Sequence, residues 1–398
     1  MNLERTSLAI VAVIAGIAVA GSAVGVLAAQ GHPAHVIMNG EITARVYLPD
    51  AKAGFYRSTR FDWSGAIASL QFKGHEYYGD WFAKITDIYD FGYDEATNDV
   101  ISAQFTAMVG PAEEFGVIGY NEAKPGGLFV KPGIGALRRA DETPYNHSKP
   151  YEIANGGKWE VERRRDLIRF VHTLKEPSID FGYVYTKVIA LTSGKPQLTI
   201  AHVFKNIGAM SIRTNVYNHN FTTIDQQPPG PDYEIAFPFQ VQRAQRGGGG
   251  PAPAAEAARG ATPGGRGPAA AQGAASGQGG PGGGRGLNPP NGSQCGRPEM
   301  QALAAAQGNR LVYSKALEGR ECYQAGFIGF GATAAHHDIR IENKKVGAGV
   351  RITGDRPLFR LGYWSIRSVL APEPYVEIAV EPGQEFTWTW TYDYFVTK

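Results

Sequence analysis

The sequence predicts an all-β protein, a large antiparallel β-sandwich interrupted by one disordered insertion. Two observations lead to this fold class. Short runs rich in β-branched and aromatic residues alternate between apolar and polar positions, and Gly, Pro and Asn turns separate them, as in half-buried antiparallel strands. Outside the apolar amino-terminal segment no long stretch has helical periodicity, so we expect little helix.

The predicted strands end at recognisable turn signals. The first stops at Pro49, and a hairpin is predicted across residues 163–166 because two strand-like segments flank this short charged run. The strands are predicted at residues 41–48, 65–72, 159–162, 167–174, 183–191, 198–204, 233–241, 310–313, 347–353, 373–380 and 386–395. Strands of this kind can supply two packed sheets.

Residues 243–308 break this order. The chain contains 51 glycines and 25 prolines, and most of the excess lies in this tract, where large apolar side chains are almost absent. Such a segment cannot bury enough apolar surface to offset its chain entropy, so we interpret it as a disordered insertion. We expect residues 36–398 to form a single domain around it, because long surface loops add little closure entropy.

Residues 1–29 are predicted to be a signal peptide or a membrane anchor. Residues 8–29 carry no charge, and Ala28 or Ala29 fits a small-residue cleavage site. If uncleaved, the apolar run is long enough to span a bilayer. We therefore expect a periplasmic or secreted protein, or alternatively a membrane-anchored one whose domain lies outside the cytoplasm.

Charge and cysteine content restrict the partners. The chain has 39 basic and 37 acidic residues, a formal net charge of +2, which gives no electrostatic argument for nucleic acid. Cys295 and Cys322 are compatible with a disulfide in an oxidising compartment and equally with two free thiols. These two cysteines lack the paired spacing of a zinc site, so they do not predict one. Neither does His336-His337-Asp338, because neighbouring strand residues point to opposite faces.

The most informative motif is Asn218-His219-Asn220 in an aromatic strand-like segment. Asn is depleted in strands, and buried amides and imidazoles need partners. A neutral imidazole can hold or pass a proton near pH 7. We predict a catalytic role for His219 and a substrate-binding role for Asn218; the alternative is a structural histidine bonded to a neighbouring carbonyl or carboxylate.

A carboxylate and several polar side chains complete the candidate site. Glu373 lies between Pro372 and Pro374, whose rigid backbone would fix it as a catalytic base. Arg60, Asp62 and Trp63 lie close together in the sequence, and their guanidinium, carboxylate and indole groups suit the binding of a sugar. The alternative is an Arg60–Asp62 ion pair beside a tryptophan in the core. A polar connection at residues 110–126 adds Glu114 and Lys124, for which a solvated loop is the alternative. His75 is a further candidate, for which a turn position is the alternative. The substrate-binding candidates besides Asn218 are Arg60, Asp62, Trp63, Glu114, Lys124 and His75.

These motifs resemble the aldose 1-epimerase (galactose mutarotase-like) family. The resemblance lies in a strand that ends at Asn206-Ile207-Gly208, followed by Asn218-His219-Asn220-Phe221. It extends to Ser64-Gly65-Ala66 and to the closing Glu373-Pro374. It implies a galactose mutarotase-like supersandwich that interconverts sugar anomers, in which Glu373 takes the C1 hydroxyl proton and His219 protonates the ring oxygen.

The resemblance also implies a sugar or oligosaccharide substrate, with no metal and no organic cofactor. Two other functions remain open on the same sandwich. One is a non-catalytic carbohydrate-binding module. The other is a polysaccharide lyase, with Tyr217 or Tyr120 as the proton shuttle.

Overall fold

Strand-forming sequence dominates the computed structural model, which describes residues 31–244 and 294–397. The architecture below is that of the unit His32–Lys398. The predicted signal or anchor segment and residues 245–293 of the predicted insertion lie outside the described residues.

The described residues form 26 strands, and each of the 11 predicted strands overlaps one of them. The first half in chain order are β1 (Ala34–Met38), β2 (Ile42–Tyr47), β3 (Ile67–Phe72), β4 (His75–Glu76), β5 (Lys84–Thr86), β6 (Phe91–Asp94), β7 (Asp99–Ala103), β8 (Gly110–Phe115), β9 (Leu128–Lys131), β10 (Gly135–Arg138), β11 (Glu152–Asn155), β12 (Lys158–Arg163) and β13 (Leu167–Glu176). The second half are β14 (Phe181–Leu191), β15 (Gln197–Asn206), β16 (Ile212–Phe221), β17 (Tyr233–Ala236), β18 (Gln242–Arg243), β19 (Ala304–Gln307), β20 (Arg310–Tyr313), β21 (Cys322–Ile328), β22 (Asp338–Asn343), β23 (Ala348–Gly354), β24 (Arg360–Ile366), β25 (Val369–Val380) and β26 (Glu385–Val396).

Two large antiparallel sheets contain most of these strands. The ten-stranded sheet has the order β12-β13-β14-β15-β26-β23-β22-β17-β20-β19, and the six-stranded sheet has the order β18-β21-β24-β25-β16-β8. Three small sheets, with orders β1-β2-β3-β4, β11-β10-β9 and β5-β7-β6, flank them. The predicted antiparallel sandwich is therefore confirmed, and so is the hairpin between β12 and β13.

Aromatic side chains fill the space between the large sheets. Alternation along β26 turns Trp388, Trp390, Tyr392 and Tyr394 inward, where each is at most 1% exposed. Hydrogen bonds also cross the layer, since Asn218 Nδ2 on β16 donates to Tyr392 OH at 2.8 Å. One face of the six-stranded sheet thus packs in the core, and the opposite face is the one that carries the candidate site described below.

Two boundaries differ from the sequence-based expectations. Residues 110–115 were expected in a polar loop, but they form β8, all of whose residues are buried beside β16. Pro111 is tolerated because β8 is an edge strand. The strand expected at residues 233–241 ends at Ala236, just before the Phe237-Pro238 pair, because proline cannot donate to a ladder.

The predicted insertion also extends too far towards the carboxyl terminus. Residues 294–308 include helix α1 (Pro298–Gln301) and β19, which pairs with β20. Leu303 is buried, and a disulfide joins Cys295 to Cys322 on β21. The buried Leu303 and the disulfide therefore fix residues 294–308 to the sandwich. The high glycine content of the tract gave no indication of this ordered part.

Helix is scarce in the described residues, as expected. Besides α1 there are short 3₁₀ segments at Pro177–Ile179, Ile224–Gln226 and Ala334–His336. None of the helices in this part of the chain is long and apolar enough to cross a membrane.

Candidate functional site

Strand β16 separates its side chains between the core and a cavity. Asn218 is buried towards the core, where it meets Tyr392. Tyr217 and His219 project to the opposite face, as the two-residue period of a strand requires, and both line a cavity of about 730 Å³. The neighbouring Asn220 donates from Nδ2 to the carbonyl of Pro372 at 2.9 Å. The motif's asparagines therefore hold the strand in place while the histidine faces the cavity.

His219 lies opposite Glu373 across a gap in the β16–β25 ladder. The ladder pairs Tyr217 with Tyr375, and an isolated bridge pairs Thr222 with Leu370 in the same register. Between these points β25 contains two prolines, which cannot donate backbone hydrogen bonds. His219 Nε2 lies 3.2 Å from Glu373 Oε1. We call these two residues the acid–base pair.

Small residues flank the acid–base pair along the same row of the sheet. The register places Gly362 of β24 beside Glu373 and Ala112 of β8 beside His219. Gly326 of β21 continues the row beyond Gly362. Larger side chains form the rows on either side, namely Arg360, Tyr375, Tyr217 and Glu114 on one and Trp364 and Phe221 on the other. The pair therefore lies at the bottom of a trough with bulky walls.

Burial sets the protonation state of the pair. It raises the pKa of Glu373 to about 7, although the positive charges of Arg60 and Arg360 oppose this shift. It also lowers the pKa of His219 well below its usual range, and Arg60 lowers it further. The side chains of His219 and Glu373 are only 4% and 13% exposed. A proton held by the pair therefore lies mostly on the carboxyl.

The imidazole is held by aromatic rings rather than by a second polar partner. Phe221 stacks on it with ring centroids 3.9 Å apart, and Phe61 and Trp364 contact it edge-on. Nδ1 is buried, and no hydrogen-bond partner reaches it among the described residues. The ring is thus fixed in orientation and remains free to exchange a proton through Nε2.

A charged cluster around Glu114 forms a second part of the cavity wall. Glu114 Oε2 accepts from Arg60 Nε at 2.8 Å, and Oε1 lies 3.2 Å from Lys131 Nζ. Tyr217 OH donates to the same carboxylate and accepts from Arg60, and Tyr145 OH accepts from Lys131 at 2.9 Å. Burial alone would raise the pKa of Glu114, but Lys131 and Arg60 lower it far below its usual range. Glu114 is therefore a fixed anion.

The preceding residue, Glu113, points into the core. Its Oε2 lies 2.7 Å from Lys187 Nζ, and its Oε1 lies 2.7 Å from His202 Nε2. Lys187 also contacts Asp62 at 2.8 Å, and Tyr185 donates to both carboxylates. Burial would raise the pKa of Glu113, but His202 and Lys187 lower it to about 2. These five side chains, which we call the interior cluster, join β8 to the ten-stranded sheet and do not line the cavity.

The structure brings four of the predicted site residues together. His219, Glu373, Arg60 and Glu114 line the same cavity. Asn218 faces the core, as described above, and Asp62 belongs to the interior cluster, so the Arg60–Asp62 ion pair weighed from the sequence is absent among the described contacts.

The remaining predicted substrate-binding residues lie outside the lining of the cavity. Trp63 is buried and donates to the carbonyl of Ser58 at 2.8 Å. Lys124 is exposed in a turn. His75 Nδ1 lies 2.7 Å from Asp225 Oδ2 at the side of a small sheet.

Several cavity residues were not identified from the sequence. Lys131, Tyr145, His147 and Arg360 lie in segments without a recognisable motif. Burial, together with Arg60, lowers the pKa of His147 to about 4, so this imidazole is neutral at pH 7. Tyr375 could have been predicted from the sequence, because it follows Glu373 by two positions and a strand places such residues on one face.

The cavity supplies acid–base and hydrogen-bonding groups. Among the described residues, no three His, Cys, Asp or Glu side chains cluster closely enough to hold a metal ion. The acid–base pair, the fixed charges and the aromatic walls together suit a polar ring-shaped ligand and the transfer of protons to or from it.

Comparison with known proteins gives structural likenesses at low identity. No protein-family model matches the chain, and no curated protein matches it. A galactose mutarotase related enzyme from Lactobacillus acidophilus has 12% identity and a TM-score of 0.45, with 92% of this chain and 98% of that chain covered.

Two further solved structures give similar values. A galactose mutarotase-like protein from Lactobacillus casei has 11% identity and a TM-score of 0.46, covering 91% of this chain and 100% of its own. An aldose epimerase homologue from C. elegans has 12% identity and a TM-score of 0.46, covering 92% and 100%. These likenesses assign no activity to this chain, so its function has to be argued from the site.

Proposed function

We propose that this protein is an aldose 1-epimerase-like isomerase that interconverts the anomers of a sugar by acid–base ring opening. The observation that carries the proposal is the acid–base pair: His219 Nε2 and Glu373 Oε1 lie 3.2 Å apart in the trough of a cavity of about 730 Å³. Anomer exchange needs one group that accepts a proton and one that gives a proton, and this pair supplies both.

The reaction starts from the pair with one proton. Moving that proton from Glu373 to Nε2 of His219 leaves a carboxylate base beside an imidazolium acid. Glu373 then takes the proton of the C1 hydroxyl, His219 protonates the ring oxygen, and the C1–O5 bond breaks to give the open-chain aldehyde. Rotation about C1–C2 and ring closure in the reverse sense give the other anomer and return both protons.

The surroundings of the pair favour a sugar over an apolar ligand. Trp364 lines the cavity, and its ring can pack against the C–H face of a pyranose. Arg60, Lys131 and Glu114 present charged donors and acceptors towards the same space, and these are suited to hydroxyl groups. Their mutual hydrogen bonds hold them in fixed positions, which limits the entropy lost on binding.

We propose further that the protein works outside the cytoplasm. The uncharged run at residues 8–29 predicts export. The Cys295–Cys322 disulfide supports an oxidising compartment, where such bonds persist.

The test is anomer exchange at equilibrium, measured by NMR with a panel of free sugars. We expect exchange by the wild type and a loss of at least about 100-fold in Glu373→Gln and in His219→Asn, in line with the usual contribution of a general acid or base. Glu381→Gln is the matched control, because Glu381 follows the same strand but is exposed and pairs with Arg213. It should retain the wild-type rate.

Other outcomes would select the alternative functions. Sugar binding without exchange in the folded wild type would replace the proposal by a carbohydrate-binding module. Release of an unsaturated uronate from a polymer, abolished in Tyr217→Phe, would replace it by a lyase. Tyr217 is the tyrosine to test, since Tyr120 OH donates to the carbonyl of Thr143 and lies outside the cavity lining.

A further inference from the structure

We propose that the cavity selects a sugar with an acidic substituent, a carboxylate or a phosphate, and that the Arg360 guanidinium binds this substituent. The inference rests on the proposed function for the reacting end of the sugar and adds the class of substrate.

Arg360 has no carboxylate in direct contact among the described residues, and the carboxylate that acts on it from a distance is Glu373 of the acid–base pair. It begins β24 opposite Tyr375, and its guanidinium carbon lies 3.7 Å from the centre of the Tyr375 ring. Tyr375 in turn stacks on Tyr217 with centroids 4.3 Å apart. Among the described residues Arg360 forms no ion pair, whereas Arg60 and Lys131 both pair with Glu114. Stacking fixes the plane of the guanidinium and leaves N–H groups at its edge for a ligand.

The charges around the cavity leave Arg360 uncompensated. Of its described lining residues, Arg60, Lys131 and Arg360 are cationic, and the carboxylates apart from the acid–base pair are Glu114 and Asp90. Glu114 contacts Arg60 and Lys131 directly, and Asp90 interacts electrostatically with Arg60. The acid–base pair is neutral as a whole when it holds one proton, and Glu373 compensates Arg360 only when it is ionised. In the singly protonated form one positive charge therefore remains, and it lies at Arg360.

The position of Arg360 suits the far side of the same sugar. Gly362 lies beside Glu373, and Arg360 is two residues earlier on β24. Two residues of a strand span roughly 6.6 Å, which is comparable with the width of a pyranose ring. A sugar whose anomeric carbon lies at the acid–base pair can therefore bring a carboxylate or phosphate to the guanidinium, where paired N–H···O bonds form.

The test is equilibrium binding of glucose, glucuronate and glucose 6-phosphate to the full-length wild type, Arg360→Gln and a control. The control is Arg356→Gln, because Arg356 also stacks on a ring, that of Phe386 at 4.7 Å, but lies outside the lining. We expect at least one acidic sugar to bind about tenfold or more tightly than glucose. Arg360→Gln should lose this preference, whereas Arg356→Gln should keep it. Which acidic sugar is preferred separates carboxylate from phosphate recognition.

Equal affinity for all three sugars in the wild type would overturn the inference, and so would an equal loss for all three in Arg360→Gln. NMR exchange on the same samples separates this inference from the proposed function. Charge-selective binding without exchange would reject the isomerase and keep the role of Arg360. Exchange of glucose and acidic sugars at equal kcat/KM would reject the role of Arg360 and keep the isomerase. Unchanged thermal unfolding of the variant shows that the comparison concerns folded protein.

Discussion

Gly362 and Glu373 face one another across β24 and β25, and the glycine leaves the space that the carboxylate occupies. A Cβ atom on residue 362 would lie 2.5 Å from Glu373 Oε2 and 3.3 Å from its Cβ. Both contacts are to the side chain that forms the acid–base pair. The missing side chain therefore fixes the position of the proposed base, although Gly362 contributes no chemistry of its own.

Gly362→Ala should reduce anomer exchange by about tenfold or more, because a displacement of the base by a fraction of an ångström disturbs proton transfer. The matched control is Gly326→Ala, in the same row one strand away, where a Cβ would meet only Ala244 at an ordinary 3.6 Å. NMR exchange rates of the two variants give the comparison. Equal rates in both would contradict the assigned role of Gly362.

Anomer exchange should fall as the pH rises through about 7. The active form holds one proton on the acid–base pair, and that proton leaves with the pKa of about 7 that burial gives Glu373. The tautomer with the proton on His219 is the minor one, but its share of the singly protonated pair does not change with pH. The measurement is kcat/KM from pH 5 to 9. A rate that rises through pH 7 to a plateau would mean that the active form holds no proton on the pair, so that protonated His219 is not the acid.

Glu373→Gln should stabilise the protein above pH 7 relative to the wild type. Burial raises the pKa of Glu373 from 4.5 to about 7, so the folded state binds this proton more tightly than the unfolded state does. The associated stability is fully present below about pH 4.5 and is lost as the pH rises through 7. A shift of this size corresponds to about 3 kcal/mol.

The measurement is urea unfolding of both proteins at pH 4.5 and pH 8.5. Relative to the wild type, the unfolding free energy of Glu373→Gln should be higher at pH 8.5 than at pH 4.5. Glu381→Gln, which removes an exposed carboxyl, should show no such change. A pH-independent difference for Glu373→Gln would mean that the carboxyl is not buried as described.

The sequence was sufficient to predict the sandwich, because alternation is a local property of each strand. It also identified both members of the acid–base pair, from a histidine between asparagines and a glutamate between prolines. The reason for the second prediction was incomplete, since β25 begins at Val369, so Glu373 lies within the strand rather than at its start. The prolines mark the gap in the ladder where the pair meets, and this gap appears only when β16 and β25 are brought together.

Neighbouring acidic residues show what the sequence could not resolve. Glu113 and Glu114 look alike in the sequence, but the period of β8 sends one to the interior cluster and the other to the cavity. Residues 110–115 contain Pro and two Glu, so they were expected in a loop. Their burial depends on cations from distant segments, Lys187 and Lys131, and no local pattern reports such long-range compensation.

Glu114→Gln should destabilise the fold by about 3–5 kcal/mol, because it leaves Lys131 and Arg60 buried without their shared carboxylate. The double variant Glu114→Gln/Lys131→Met should recover part of this loss, since one of the two unpaired charges is then absent. Urea unfolding at pH 7 measures both. A loss below about 1 kcal/mol in the single variant would mean that water, rather than Glu114, stabilises these cations.

Asp62→Asn should affect stability and leave sugar binding unchanged. The Asp62 side chain is 0% exposed, and its carboxylate lies 2.8 Å from Lys187 Nζ in the interior cluster. The substitution removes one of the negative charges that stabilise the buried ammonium group of Lys187, and this lowers the stability by an amount of the order of 1–3 kcal/mol. Arg60→Gln is the informative partner variant, because Arg60 comes from the same short segment but lines the cavity.

The two variants should separate in measurements of KM and thermal unfolding. Arg60→Gln should raise KM for the sugar several-fold, whereas Asp62→Asn should lower the melting temperature while KM stays within twofold of the wild type. A KM raised in Asp62→Asn at wild-type stability would restore the substrate-binding role that the sequence suggested. It would also require the interior cluster to open towards the cavity when sugar binds, because Asp62 has no contact with the cavity in the structure.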